Sequence, residues 1–329
     1  MLSRVADAIY WMNRYIERAE NYARFIDVHY NLSLELTPEL SDQWKALVIT
    51  TGDWNLYQSL YEKTDKSKVI YFLGFDPNNL NSIYNCIVTA RENARTIRPE
   101  ITKEVWEQVN ALYYFVKNGA QKKVWQQNDP RPFFNKVKIG CQLVYGIVDA
   151  TISRNEGWHF GRIGKLIERA DKTSRVLDVK YHVLLPTPEA VGTPLDLLQW
   201  VALLKSVSAY DMYRQQNGKV TPIGISQFLI LDKIFPRSIL HCLMEAEQSL
   251  KTITGSGDGY SNLAEKQLGM LKSRVEYADI QDIFKTGLHE YLDDFQRDLN
   301  NTSTSVYNSF FSTESVNLTG KRNLQIVPQ

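Results

Sequence analysis

Apolar side chains recur every three or four residues along the first thirty positions of the chain. Because an α-helix has about 3.6 residues per turn, positions with this spacing lie on one helical face. Ser3 can cap such a helix and Pro38 marks its break, so the pattern predicts one helix from near the start to about Glu35. Its apolar face consists of Val5, Ile9, Met12, Ile16, Ala19, Ala23, Ile26 and Tyr30.

The pattern of this helix returns later in the chain. A shift of 151 residues superposes Glu17-Arg18 on Glu168-Arg169. The second copy predicts another long helix, which ends near residue 185 because two prolines follow closely. Its apolar face consists of Phe160, Ile163, Ile167, Ala170, Ser174, Leu177 and Tyr181.

A third helix repeats part of this pattern with Ile83, Ile87, Ala90, Ala94 and Ile97. Small residues four positions apart allow helix backbones to approach closely. We therefore expect the repeat helices to pack near such pairs, with approximate two-fold symmetry between the two full copies. The pairs are Ala19/Ala23, Ala90/Ala94 and Ala170/Ser174, and an arginine follows each of them (Arg24, Arg95 and Arg175).

The remaining patterns are also helical, and no run alternates with period two. Gly52 and Asp53 are expected to bend or split the helix after the first, and Asp76-Pro77 to begin the next one. The predicted fold class is all-α, a multi-helix bundle of about ten helices with an internal repeat. Besides the repeat helices, it comprises residues 39–62, 76–97, 102–116, 132–154, 195–215, 222–231, 237–254, 260–278 and 280–311.

The domain organisation follows from these patterns. One all-helical domain is expected over residues 1–312, and the polar stretch 119–130 could link two halves, 1–118 and 131–312. Beyond that domain the chain is rich in Ser, Thr and Asn, which predicts a disordered tail at 313–329.

Charge and composition exclude several classes of function. Lys and Arg number 38 against 37 Asp and Glu, a net charge of +1 that gives no electrostatic basis for binding nucleic acid or an anionic membrane. No apolar run approaches the roughly 20 residues that span a bilayer. The cysteines, Cys86, Cys141 and Cys242, are far apart and are expected to be buried and reduced. We therefore expect a cytoplasmic protein.

Polar residues flank the apolar faces of both repeat helices. On the first helix they form a stripe of Arg14, Glu17, Asn21 and Arg24, while Arg18 emerges among aromatic side chains. A buried arginine requires a carboxylate, because an unpaired buried charge costs several kcal/mol. One interpretation is therefore a set of ion pairs between helices: Glu17 with Arg169 or Arg175, and Glu168 with Arg18 or Arg24.

The other interpretation is a cleft that binds a substrate. In it, Glu17 and Glu168 are the candidate catalytic residues, Glu92 lies beside them, and arginines bind a carboxylate or phosphate. The candidate substrate-binding residues are Arg14, Arg18, Asn21, Arg24, Glu92, Arg95, Arg169 and Arg175. No metal site is expected, since Glu156-x-x-His159 has the spacing of a di-metal bundle but lacks the second motif that such a bundle requires.

Several motifs resemble those of the bacterial alpha-E domain family, and together they cover nearly the whole chain. They are Met1-Leu-Ser-Arg-Val-Ala, Ile9 through Arg24, Ala90-Arg-Glu-Asn-Ala-Arg, Glu156-Gly-Trp, Leu166-Ile-Glu-Arg-Ala-Asp and Pro236-Arg-Ser. His159 departs from the pattern, which has an arginine there. The resemblance implies an all-helical protein that is encoded beside, or fused to, circularly permuted ATP-grasp proteins and transglutaminase-like proteases.

These associations imply an ATP-dependent system that forms amide or peptide bonds. The first hypothesis is a helical component that docks the ATP-grasp protein and contributes a Glu/Arg-lined site for an amino acid or peptide. ATP and magnesium would then belong to the partner, and no cofactor to this chain. The alternatives are a self-sufficient amidoligase or transferase with a glutamate as general base, and a purely structural scaffold.

Overall fold

Every regular element of the described chain is helical, which confirms the all-α prediction. The computed structural model describes residues 1–35, 42–182, 193–257 and 259–312. Its α-helices are α1 (Ser3–Glu35), α2 (Asp42–Thr51), α3 (Trp54–Leu60), α4 (Lys66–Gly74), α5 (Ile83–Thr96), α6 (Lys103–Gln121), α7 (Arg131–Thr151), α8 (Glu156–His182), α9 (Pro194–Ser206), α10 (Tyr210–Gln216), α11 (Pro222–Leu231), α12 (Ile239–Thr254), α13 (Leu263–Glu276), α14 (Ile280–Thr286) and α15 (Leu288–Val306).

These helices outnumber the expected ten because several predicted helices are divided. The break predicted after α2 is present, with Gly52 at a φ of 82°. The predicted helices 195–215 and 280–311 are each two helices, interrupted where Ser208 and Gly287 have φ values of 53° and 112°. A left-handed residue stops a right-handed helix, and apolar periodicity on both sides of it conceals the break.

The predicted helix start at Asp76-Pro77 is wrong. Helix α5 begins at Ile83, where the Ser82 hydroxyl caps it by accepting a hydrogen bond from the Asn85 amide. The preceding residues instead form turns, in which the Asp76 carboxylate accepts from the Asn78 amide at 2.9 Å. Short polar side chains compete with a helix by bonding to nearby backbone groups, as they do here.

Two parallel helices, α1 and α8, form the centre of the molecule. Contacts join the start of one to the start of the other, and the middle to the middle: Met1 with Glu156, and Glu17 with Arg169. Between these points a methyl group at Gly164 would lie 2.4 Å from the carbonyl oxygen of Tyr10. The two backbones therefore approach too closely there for any side chain.

The small residues of the repeat lie in the core, as their spacing predicts. Ala19, Ala23, Ala90, Ala94 and Ala170 have no exposed surface. Around the central pair, α5 and α7 pack against α1, while α12 and α15 pack against α8. Helix α2 contacts both central helices.

The sequence also led to expectations about the cysteines, membrane-spanning helices and the chain ends. The three cysteines are buried and unpaired, as predicted. In the described ranges, no helix has the length and apolar character needed to cross a membrane. The predicted tail 313–329, the break at Pro38 and the end near residue 185 lie outside the described residues.

Candidate functional site

Two glutamate–arginine pairs join the central helices reciprocally. Glu17 of α1 accepts from Arg169 of α8, with both N···O distances 2.9 Å. In the opposite sense, Arg18 of α1 donates to Glu168 of α8 at 2.6 and 2.9 Å. Each pair is bidentate, the geometry that makes an arginine–carboxylate contact strong and directional. The ion-pair interpretation of the sequence is confirmed for these four residues.

Glu17 has further partners at its Oε1 atom. The Arg237 Nη1 and Asn21 Nδ2 atoms each donate to its Oε1 at 3.1 Å. The other arm of Arg237 donates to Glu20 at 2.7 Å. Arg237 directly precedes Ser238, which caps α12, so the entry to α12 fixes the arginine against α1.

The second glutamate is surrounded in a similar way. Arg14 Nε donates to Glu168 Oε2 at 3.0 Å, and Lys172 Nζ lies 3.5 Å from Oε1. One turn further along α8, Arg175 donates to Asp171 at 3.0 Å. The i,i+4 pair of Asp171 and Arg175 corresponds to that of Glu20 and Arg24 on α1, which also form an ion pair. The repeat is therefore visible in contacts as well as in sequence.

Burial and charge act in opposite directions on these carboxyl groups. Glu17 and Glu168 have no exposed surface, and burial by itself would raise the pKa of each. Arg169 and Arg237 outweigh burial at Glu17, and Arg18, Lys172 and Arg14 outweigh it at Glu168, so both pKa values lie below the usual range. Both groups are carboxylates at neutral pH.

Acid is expected to destabilise the protein through these groups. A carboxyl group whose pKa is lowered by folding stabilises the folded chain at a pH above its unfolded pKa, because the unfolded chain binds more protons below that pH. This stabilisation is complete above about pH 5 and is lost as the pH falls toward the lowered values. We expect the urea midpoint, measured by circular dichroism, to fall steeply between about pH 5 and 3. A flat profile would contradict the buried pairs.

Most of the predicted site residues lie together in this cluster. On α1 these are Arg14, Glu17, Arg18, Asn21 and Arg24, and on α8 they are Glu168, Arg169 and Arg175.

Glu92 and Arg95 do not belong to the cluster. They form an ion pair with each other at 2.6 Å, and their side chains are 44% and 69% exposed. Helix α5 packs against α1, and Ala90 and Ala94 are buried. Glu92 lies two positions after Ala90, which is about 200° round the helix. The expectation that Glu92 lies beside Glu17 and Glu168 is therefore wrong.

Sequence reasoning also missed members of the cluster. Glu20 follows the Glu-Arg dipeptide but was not among the candidates, and it binds Arg24, Arg237 and Gln142. Arg237 lies 220 residues from its partner Glu17. The motif Pro236-Arg-Ser was a signal for Arg237, since it is among the motifs on which the family resemblance depends.

The arrangement limits what the two glutamates can do chemically. A general base needs a lone pair that faces a substrate proton. Glu17 and Glu168 have no exposed surface, and arginines bind both oxygens of each. Their catalytic role therefore stays a prediction, and the geometry favours a structural one. Among the described residues, no group of three or more His, Cys, Asp or Glu side chains is placed to hold a metal ion.

The chain is similar to three curated mycobacterial proteins. Uncharacterized proteins of Mycobacterium bovis and of two strains of Mycobacterium tuberculosis are each 21% identical to it over 318 residues. The match covers 88% of this chain and 34% of each relative, so the chain spans about a third of the length of these relatives. No solved structure matches it.

The family comparison covers almost every described residue. Residues 1–311 match Alpha-E, described as a predicted alpha-helical domain with a conserved ER motif. The two Glu-Arg dipeptides of the repeat, Glu17-Arg18 and Glu168-Arg169, are of this kind, and they form the reciprocal pairs at the centre of the molecule. The chain belongs to the Alpha-E family.

Proposed function

We propose that this chain is a helical component of an ATP-dependent system that forms amide or peptide bonds. A circularly permuted ATP-grasp protein, docked on the chain, binds ATP and magnesium and activates a carboxyl group. The chain positions that partner and the amino-acid or peptide substrate. A transglutaminase-like protein is a further partner of the same system.

The burial of Glu17 and Glu168 is the observation that favours a component of a larger system over a self-sufficient enzyme. Both candidate bases are occupied by arginines of the opposite repeat copy. A reaction on either glutamate would first require these pairs to open, which leaves buried charges unpaired and costs several kcal/mol. The cluster instead supports a role in fixing the shape of a binding module.

The lengths of the relatives support the same proposal. In each mycobacterial relative the matched region is 34% of the protein, so the domain is used there as one part of a larger chain. A domain that works beside other domains is suited to bind a partner and present a substrate to it. The identity of the partner comes from the family resemblance and is the part to be tested.

Reconstitution tests this proposal. The chain and a circularly permuted ATP-grasp protein, the proposed partner, are purified separately. ADP release is then measured with an amino-acid mixture for each protein alone and for both together. We expect co-elution in gel filtration and ADP release that rises at least tenfold only in the mixture. ADP release by the chain alone would favour the self-sufficient enzyme, and absence of both complex and activity would contradict the proposal.

A further inference from the structure

A cleft of about 570 Å³ opens beside the central helices, outside the Glu/Arg cluster. Its walls come from α1, α7, the first turns of α8 and the segments before α6 and α8, and include Met12, Asn13, Tyr145, Ile152 and Lys165. This volume is within the range of about 300–1,000 Å³ that is usual for small-molecule sites. The cleft is therefore large enough to enclose a small organic ligand.

Lys165 is the member of the repeat that lacks its expected partner. The shift of 151 residues superposes Arg14 on Lys165, and Arg14 binds Glu168. The corresponding partner of Lys165 is Glu17, whose oxygens are already occupied by Arg169, Arg237 and Asn21.

The entry to α12 thus breaks the symmetry of the repeat. Arg237, which has no counterpart among the partners of Glu168, donates to Glu17 Oε1, whereas Lys165, the counterpart of Arg14, does not bind Glu17. Within the described residues, the Lys165 amine forms no hydrogen bond or salt bridge. It lies 4.9 Å from the centre of the Tyr145 ring, and both residues line the cleft.

The other cations of the cleft are already paired. Arg162 forms an ion pair with Glu245 and donates to the Ser249 hydroxyl at 3.2 Å. Arg154 donates to Asp149 at 2.6 Å. Among the cleft residues that the structure describes, Lys165 is therefore the cationic side chain available to a ligand.

The ion-pair cluster next to Lys165 has more positive than negative side chains. It has seven cationic side chains against four carboxylates: Arg14, Arg18, Arg24, Arg169, Lys172, Arg175 and Arg237 against Glu17, Glu20, Glu168 and Asp171. An excess of buried positive charge favours an anion.

Several charged groups face the Lys165 amine. They are Arg162 and Arg169 on its own helix, Glu17 on α1 and Asp149 on α7. Burial and the positive charge of Arg169 lower the pKa of Lys165 to about 8, although Glu17 and Asp149 act in the opposite direction.

We propose that the cleft binds a small carboxylate with an apolar body, and that Lys165 pairs with the carboxylate group. The ammonium group of Lys165 and the carboxylate of the ligand carry opposite charges. Met12, Ile152 and the Tyr145 ring provide apolar contact for the remainder of the ligand. An anion at Lys165 also reduces the excess positive charge. The inference goes beyond the proposed function, because the isolated chain binds this ligand whether or not an ATP-grasp partner exists.

Paired probes test the site. Binding of 4-phenylbutyrate and of its neutral amide to the full chain is measured by isothermal titration calorimetry at pH 7. We expect the carboxylate to bind about tenfold more tightly than the amide, the size of one hydrogen bond between charged groups. In the Lys165→Met variant the carboxylate should bind no better than the amide, and Lys165→Arg should restore the preference.

The pH profile gives a second readout. Affinity for the carboxylate should fall as the pH rises past about 8, where Lys165 loses its proton, while affinity for the amide stays constant. Lys285→Met is the matched control, because Lys285 is exposed on α14 and that variant should bind both probes as the unmodified chain does.

Equal binding of the two probes, no binding of either, or an undiminished carboxylate preference in Lys165→Met would overturn the inference. Removing an unpaired lysine should leave the melting temperature unchanged, so a folded Lys165→Met variant is expected. If the binding test failed but the reconstitution succeeded, the ligand site would be rejected and the proposed function would stand.

Discussion

Replacing Glu17 with glutamine is expected to lower the free energy of unfolding by about 3–5 kcal/mol. The change keeps the size of the side chain but removes its charge. It leaves Arg169 buried without its carboxylate partner, while Arg237 retains its pair with Glu20. Chemical unfolding in urea, followed by circular dichroism, measures the loss. Glu168→Gln should lower the free energy of unfolding by a similar amount, because it removes the carboxylate that binds Arg14 and Arg18.

Glu92→Gln is the matched control for these variants. Glu92 also pairs with arginines, Arg91 and Arg95, but its side chain is 44% exposed. An exposed pair contributes at most about 1 kcal/mol, so the control should remain close to the unmodified chain. If Glu17→Gln were equally stable but abolished amide formation, the glutamate would be a general base and the structural interpretation would be wrong.

Gly164→Ala is expected to destabilise the protein by about 2–3 kcal/mol, although alanine favours helices over glycine. The added methyl group would lie 2.4 Å from the Tyr10 carbonyl oxygen, which belongs to the backbone of α1 and cannot rotate away. The two central helices must therefore move apart, which disturbs the ion pairs that join them. Thermal unfolding of the purified variant measures the effect.

Gly146→Ala is the control for the higher helix propensity of alanine compared with glycine. Gly146 lies on α7, and a methyl group there would have no neighbour within 4 Å. That variant should be more stable than the unmodified chain by about 0.5–1 kcal/mol, because alanine loses less backbone entropy on folding. If both glycine variants were stabilising, α1 and α8 would not be in close contact.

Much of the fold could be predicted because apolar periodicity depends on burial, which is a local property of each helix. The pattern predicted α1 and the start of α8 within a few residues. The need of a buried arginine for a carboxylate predicted two possible partners for each glutamate, of which Arg169 binds Glu17 and Arg18 binds Glu168. The breaks were harder to predict, since a single left-handed residue such as Ser208 leaves the periodicity almost unchanged.

The remainder of the site depends on contacts that no local pattern contains. Nothing near Glu17 in the sequence indicates that it binds Arg237 and not Lys165. Likewise, Glu92 lies between two alanines spaced like those of the repeat helices, but its side chain is exposed to solvent. Periodicity identifies which residues share a face, whereas the packing of several helices decides which face is buried.

The parallel arrangement of α1 and α8 has a consequence for folding kinetics. Glu17 and Arg169 are 152 residues apart, so their pair forms only after a very long loop has closed. Contacts across long separations slow folding, because the chain loses the entropy of loop closure before it gains the energy of the contact. We therefore expect the Glu–Arg pairs to act mainly on the unfolding rate, so that the centre of the molecule determines how long the folded state persists rather than how quickly it is reached.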